Sequence, residues 1–164
     1  MTNAARKMTD EEKAQSYETM RHIETLRNLL NNVVCEFLRR GQEHDQSKMG
    51  DPELALFTKF TPKLKFVEYN SPEYHEFLEG LTPALDNHYA KNSHHPQHYE
   101  QGIEGMNLFD LLEMLCDWEA SSRRTLDGDL DRSIEINIDR FKISPQLAQI
   151  LRNTVPLVKG KNGV

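Results

Sequence analysis

The feature that most constrains the fold is the spacing of apolar residues near the start of the chain. Between Asp10 and Arg40, apolar side chains recur at steps of three and four residues, which is the period of one face of an α-helix. Thr9 and the acids after it suit a helix start, and Gly41 follows a basic pair that suits a helix end. The chain therefore begins with a long amphipathic helix whose apolar face we expect to be buried.

Helical signals continue through the rest of the chain. Four pairs of a capping residue followed by proline each predict a helix start: Asp51-Pro52, Ser71-Pro72, Thr82-Pro83 and Ser144-Pro145. The predicted later helices are 51–60, 71–79, 82 to either 89 or 91, 107–124, 130–141 and 144–154, with loops at 61–70 and 92–105. The sequence therefore predicts an all-α, single-domain bundle of six or seven helices over 1–164, with its core at about 10–155 and a frayed tail at 159–164.

Composition narrows the class of protein. The chain has 164 residues, and its 26 acidic against 20 basic side chains give a net charge of −6, which disfavours a partner of extended nucleic acid. Cys35 and Cys116 lie in apolar helical stretches, so we expect small buried side chains in a reducing compartment rather than a disulfide. No apolar run reaches the length of a membrane span, and the N-terminus is polar. We therefore expect a cytoplasmic protein with no membrane partner.

Seven histidines stand out in so acidic a chain, and four of them fall between positions 88 and 98. His22 lies on the apolar arc of the first helix, where a hydrogen-bonded core histidine and a ligand are both open. His44-Asp45 pairs a nitrogen ligand with a carboxylate, and Lys48 follows three residues later. The four clustered histidines, in a loop of unusual length and just before it, are His88, His94, His95 and His98.

Three carboxylates share one arc of the predicted helix 107–124. At about 100° per residue, Asp110, Glu113 and Asp117 lie within about 60° of one another. This arc is either the solvated stripe of the helix or a buried set of acids that needs a cation or hydrogen bonds. Imidazole together with carboxylate suits Mn, Fe, Co, Ni or Zn better than Mg or Ca.

The order of these residues carries a resemblance. His22, His44-Asp45, His88, His94-His95 and Asp117 stand in the order H…HD…H…HH…D, which resembles the two-metal branch of the HD-domain metal-dependent phosphohydrolase superfamily. Residues 44–48 match the form HDxxK, and residues 111–120 are similar to the family helix that ends in a ligand Asp. The resemblance covers about residues 20–120. Over nearly its full length, the chain also resembles a small uncharacterised family of phage and bacterial genomes.

The resemblance implies an HD-like helical fold and one or two divalent transition metal ions. It assigns His22, His44, Asp45 and Asp117 to the first ion, and it has Asp45 bridge to a second ion held by His88, His94 and His95. Asp117 takes the ligand role in this assignment, with Asp110 as the alternative. The outer residues that would orient the ligand histidines are Asp110, Glu113 and His98.

The implied activity is hydrolysis of a small phosphorylated substrate, most simply a nucleotide, by water that the metal activates. Asp45, Lys48 and Glu113 are the predicted catalytic residues, and Lys48 would neutralise charge on the phosphoryl group. Arg123 and Arg124 are predicted phosphate contacts, or else a basic pair at a helix end. Two alternatives remain open: a di-iron oxygenase of the same superfamily, and a non-catalytic phage or bacterial interaction protein that retains a structural metal. A homo-oligomer is compatible with any of the three.

Overall fold

The computed structural model describes residues 7–64, 66–67, 71–124 and 128–160 of the chain. Over these residues it contains helices and no strand, so the all-α prediction is confirmed. The α-helices are α1 (Asp10–Glu43), α2 (Glu53–Leu64), α3 (Pro72–Lys91), α4 (Leu108–Ser122), α5 (Leu130–Phe141) and α6 (Pro145–Lys159). Shorter 3₁₀ turns are Gln46–Met49, Pro96–His98 and Gly102–Gly105.

The chain divides into two compact units, Met1–Gln42 and Glu43–Val164. In the first unit, α1 begins where the sequence predicts. The backbone N–H of Thr9 donates to Glu12 Oε2 at 2.8 Å, and the N–H of Glu12 donates back to Thr9 Oγ1 at 3.2 Å. However, no residue of α1 is fully buried. The prediction that its apolar arc, including His22, is buried is therefore wrong, because periodicity shows which face is apolar and not what covers it.

In the second unit, α2 and α3 pair closely, and both run through prolines that the sequence reading took as breaks. Pro62 lies in the last turn of α2, where its missing N–H costs one hydrogen bond. The predicted helices 71–79 and 82–91 are one helix, α3, with Pro83 inside it. Leu81 and Ala84 are buried on either side of Pro83, and this packing holds the helix together across it.

Gly80 has a steric role in the same pair of helices. A Cβ atom added at Gly80 would lie 2.5 Å from Cζ of Phe60, so only glycine lets the two helices approach this closely. Gly80 is therefore a packing residue in the middle of α3.

The apolar core lies among α4, α5 and α6. Its buried members are Leu115, Leu130, Ile134, Ile143, Ala148, Leu151 and Val155. The bounds of α5 agree with the prediction, and α4 agrees within two residues at each end. α6 starts at Pro145 as predicted but continues to Lys159. Within the predicted frayed tail, residues 161–164 lie outside the described part of the chain.

Two further sequence expectations concern the cysteines and the membrane. Cys35 and Cys116 are both exposed, which corrects the prediction that they are buried, because an apolar stretch of helix does not determine which of its residues face solvent. Across the described residues, no helix combines the length and apolarity needed to cross a bilayer.

Candidate metal centre

The candidate centre begins where α1 ends. His44 and Asp45 follow Glu43 directly, and Asp45 adopts the left-handed conformation, with φ 58° and ψ 12°. Asp and Asn tolerate this region better than other side chains, and non-glycine residues held there concentrate at functional sites. The turn is fixed by the N–H of Lys48, which donates to the carbonyl of Asp45 at 2.9 Å. The αL turn thus redirects the chain and starts the 3₁₀ turn Gln46–Met49.

The last turn of α3 and the loop after it bring three histidines to the same place. His88 lies on α3, and His94 and His95 lie in the loop. The loop is anchored by Asn92, whose side-chain Nδ2 donates to the carbonyl of His88 at 2.8 Å. His88 and His94 are each only 2% exposed. The long predicted loop is therefore an ordered turn that holds buried imidazoles.

These histidines and Asp45 form a compact group of possible metal ligands. One atom from each of Asp45, His88, His94 and His95 lies within 4.8 Å of the others. Asp45 Oδ1 is 3.3 Å from Nε2 of His88 and 3.6 Å from Nε2 of His94. Nε2 of His88 is 2.8 Å from Nε2 of His95. Four ligand atoms thus converge on one point.

Two of these atoms are buried and unsatisfied. Among the described residues, neither Asp45 Oδ1 nor His94 Nε2 has a hydrogen-bond partner. Leaving a buried polar atom unpaired costs about 1–3 kcal/mol. A cation between them would satisfy both atoms at once, so the donor set fits a metal ion.

A second group of ligands shares Asp45 with the first. His44, Asp45 and Asp117 form it, and Nε2 of His44 lies 3.6 Å from Asp45 Oδ2 and 3.7 Å from Asp117 Oδ1. Asp117 comes from α4, so this group joins the αL turn to that helix. Asp45 is common to both groups, and His22 belongs to neither of them.

Glu113 lies behind both groups on α4. Its Oε1 is 2.9 Å from Nδ1 of His44 and 3.1 Å from Nδ1 of His94. A carboxylate on Nδ1 fixes the ring orientation and directs Nε2 toward the centre. Glu113 thus has the geometry of an outer residue that aims two histidines, and it also completes a third possible ligand group with them.

Neighbouring charges and burial shift the pKa values of the site's titratable groups in opposite directions. Hydrogen bonds to Asp117 and Glu113 raise the pKa of His44 to about 10. Burial, together with the charges of His94 and His88, lowers the pKa of His95 to about 3. Burial acts to raise the pKa of Asp45, but Lys48 and the neighbouring histidines outweigh it and lower that pKa. Asp45 is therefore ionised and His95 neutral near pH 7, which are the forms that bind metals, whereas His44 carries a proton that a metal ion would have to displace.

Glu53, which is not among the predicted site residues, supports His88 from α2. Glu53 is fully buried and accepts hydrogen bonds from Asn87 Nδ2 at 2.6 Å and from Ser47 Oγ at 3.1 Å. Its Oε2 also lies 2.8 Å from Nδ1 of His88. In the sequence, Glu53 looks like an ordinary acid in a first helical turn, so no local signal distinguishes it.

Asp110 anchors the loop from the start of α4. It accepts hydrogen bonds from Tyr99 Oη at 2.7 Å, Ser93 Oγ at 2.8 Å and the N–H of Asn107 at 3.0 Å. The possible ligand groups of the described chain include Asp117 and not Asp110. His98, exposed in the loop, has Nδ1 2.7 Å from the carbonyl of Tyr89. Both residues shape the loop that carries His94 and His95, and their predicted role in orienting ligands stays a prediction.

The predicted substrate contacts differ in their partners. Lys48 Nζ lies 2.6 Å from Asp45 Oδ2. Arg123 donates from Nε to Glu119 Oε1 at 2.8 Å, whereas Arg124 lines a pocket of about 550 Å³ beside the candidate centre. His22 lies on α1, is exposed, and belongs to none of the ligand groups found among the described residues. Its role as a ligand stays a prediction.

Fold and site together define an all-helical protein with a buried cluster of histidines and carboxylates. Residues 11–157 match a family described as a family of unknown function, DUF5662, and the chain belongs to this family. No curated protein and no solved structure matches the chain.

Proposed function

We propose that this protein is a metal-dependent phosphohydrolase that acts on a small phosphorylated substrate, most simply a nucleotide. The observation that carries the proposal is the pair of buried, unsatisfied atoms, Asp45 Oδ1 and His94 Nε2, inside a group of four possible ligands. A cluster that served only to pack the fold would satisfy these atoms with hydrogen bonds. The resemblance to the HD-domain superfamily adds the reaction class.

The ligands fall into two sets that share one acid. Asp45, His88, His94 and His95 would hold one ion, and His44 and Asp117 would hold another with Asp45. The resemblance alone adds His22. Imidazole and carboxylate favour Mn, Fe, Co, Ni or Zn. A bound ion of this kind supplies Lewis acidity, which makes water a stronger nucleophile and neutralises phosphate charge.

The remaining residues of the site would act on the phosphate ester. In hydrolysis, a water oxygen bonds to phosphorus, the ester P–O bond breaks, and the leaving oxygen takes up a proton. The ammonium of Lys48 lies beside Asp45 and faces the pocket, where it would offset negative charge that builds on the phosphoryl oxygens. Glu113 would keep the rings of His44 and His94 aimed at the centre. We propose that this activity takes place in the cytoplasm, because small phosphorylated substrates are abundant there.

The test compares the wild type with Asp45→Asn and with Asp139→Asn as a matched control. Asn keeps the size of Asp and tolerates the left-handed turn at position 45, whereas Asp139 is an exposed acid on α5. We expect elemental analysis to find a near-stoichiometric transition metal in the wild type and the control and little in Asp45→Asn. Phosphate release from a panel of nucleotides with added Mn²⁺ should follow the same order, and far-ultraviolet circular dichroism checks that each variant is folded.

Three results would contradict the proposal in different ways. A wild type that binds no transition metal, or an Asp45→Asn variant that keeps the metal, would remove the metal centre. Metal binding without phosphate release from any nucleotide would support the non-catalytic alternative. Oxygen-dependent turnover by an iron-loaded protein, without phosphate release, would support the oxygenase.

A further inference from the structure

A pocket of about 550 Å³ opens beside the candidate centre, within the second unit. Its floor includes His88 and His95, two of the possible metal ligands. Its walls come from α2 and α3 and carry two aromatic rings, Phe57 and Tyr89, with leucines beside them. This volume lies in the range of pockets that bury small organic ligands, and it exceeds what a phosphate group alone would fill.

The two aromatic rings lie next to the ligand histidines. The ring centroid of Phe57 is 6.5 Å from that of His88, and the ring centroid of Tyr89 is 5.2 Å from that of His95. Both pairs are arranged edge to face. A substrate whose phosphate sits at the histidines would therefore place its leaving group against these aromatic side chains.

Two basic side chains, Lys48 and Arg124, line the polar side of the same pocket. Lys48 lines it, with Nζ 6.0 Å from the ring centroid of Phe57. Arg124 also lines it, and among the described residues it has no ion-pair partner, whereas Arg123 is paired with Glu119. The pocket thus joins an anion-binding side to an aromatic wall.

We propose that this pocket binds the leaving group of the phosphate ester, and that this group carries a flat aromatic ring. The proposal rests on the proposed function and names the substrate class of that site. Purely aliphatic walls would suit an alkyl chain, whereas aromatic walls add the preferred edge-to-face and stacked geometries of ring pairs. Thr58 and Thr61 also line the pocket, and their hydroxyls offer hydrogen bonds to the polar edge of a heteroaromatic ring.

The proposal also separates the roles of the two neighbouring arginines. Arg124 would contact the phosphate, because it faces the pocket without a competing carboxylate among the described residues. Arg123 would stay with Glu119 and outside the binding site. Sequence alone treats the pair as equivalent.

The probes are adenosine 5′-monophosphate and ribose 5-phosphate, which differ at C1′, where the first carries adenine and the second a hydroxyl group. Equilibrium binding of each probe to the full chain is measured by calorimetry without added metal, so that the probe is not consumed, and hydrolysis is followed separately by phosphate release with Mn²⁺. We expect the nucleotide to bind at least about tenfold more tightly than the sugar phosphate, because the base buries its ring against the aromatic wall. Equal affinities for the two probes, or no binding of either, would overturn the proposal.

The variants locate the preference. Phe57→Leu and Tyr89→Leu should each lower the preference for the nucleotide by about fivefold, and Tyr89→Phe should restore it because the ring is kept. Phe66→Leu, at an exposed phenylalanine, is the matched control and should keep the wild-type preference. Arg124→Ala should lower the affinity for both probes, while Arg123→Ala should leave both affinities unchanged. A preference that survives both leucine substitutions would show that the base binds elsewhere.

Binding and hydrolysis can fail separately in this design. If the wild type prefers the nucleotide in calorimetry but releases no phosphate from it, the proposed function fails and the pocket assignment stands. If the wild type hydrolyses both phosphates but binds them with equal affinity, the proposed hydrolase activity is supported and the proposed binding of an aromatic ring in the pocket is contradicted.

Discussion

The core among α4, α5 and α6 is buried and the cluster around Asp45 is partly buried, and the two are built from opposite kinds of side chain. The core is aliphatic, and its central residue Ile134 is fully buried. The cluster buries imidazoles and carboxylates, and two of its atoms lack hydrogen-bond partners among the described residues. The core thus stabilises the fold without any ligand, whereas the proposed metal ion would satisfy the unpaired atoms of the cluster.

The largest expected effect on stability comes from the core. Ile134→Ala should lower the free energy of unfolding by about 2–5 kcal/mol, because it removes buried methyl groups and leaves a cavity. Urea titration with and without Mn²⁺ measures the loss, which should be the same in both. Ile136→Ala, at an exposed isoleucine of the same helix, is the control and should change little. A loss of stability that appears only without Mn²⁺ would contradict the view that the core stabilises the fold independently of the cluster.

A smaller effect should follow metal binding itself. At free Mn²⁺ of about 100 times the dissociation constant, the folded state gains about 2.7 kcal/mol, because the ion binds only the folded cluster. Thermal unfolding of the wild type should shift upward with Mn²⁺ and return with a chelator. Asp45→Asn should show no shift, since it removes the acid shared by both ligand groups. An equal shift in that variant would place the ion elsewhere.

The smallest expected effect concerns the support of His88. Glu53→Gln keeps the size of a fully buried side chain but removes the carboxylate that faces Nδ1 of His88. Loss of such an outer partner weakens metal affinity by about 10-fold to 100-fold, or about 1.4–2.7 kcal/mol. Mn²⁺ titration by calorimetry measures it, with Glu135→Gln as the exposed control. Unchanged affinity in Glu53→Gln would make that acid a packing residue only.

Much of the fold follows from local chemistry, and its errors have a common cause. The capping residues Asp129 and Ser144 accept the backbone hydrogen bonds that start α5 and α6, so local rules locate both helix starts. The prediction of a new helix at Thr82-Pro83 is wrong because the local preference of Pro83 for a helix start is overridden by packing between α2 and α3. The prediction that the apolar face of α1 is buried is wrong because the spacing of apolar residues identifies that face but carries no information about what packs against it.

The candidate site divides in a similar way. Ligand-type residues are visible in sequence because histidine is rare and its clustering between 88 and 98 is unusual. Glu53 is invisible because its role arises only when α2 brings it to His88, 35 residues away in sequence. The left-handed turn at Asp45 is equally hidden, since an Asp at a helix end is compatible with several backbone conformations.

The shared carboxylates have a consequence for how ions would load. Asp45 belongs to both ligand groups, and Glu113 orients a histidine in each of them. An ion held in either group would fix the Asp45 carboxylate, which is also a possible ligand in the other group. The ordering cost of that ligand would then already be met for a second ion, whereas the charge of the first ion would oppose its entry. The occupancy of the second position would therefore reflect the balance between an ordered ligand and the repulsion of two like charges.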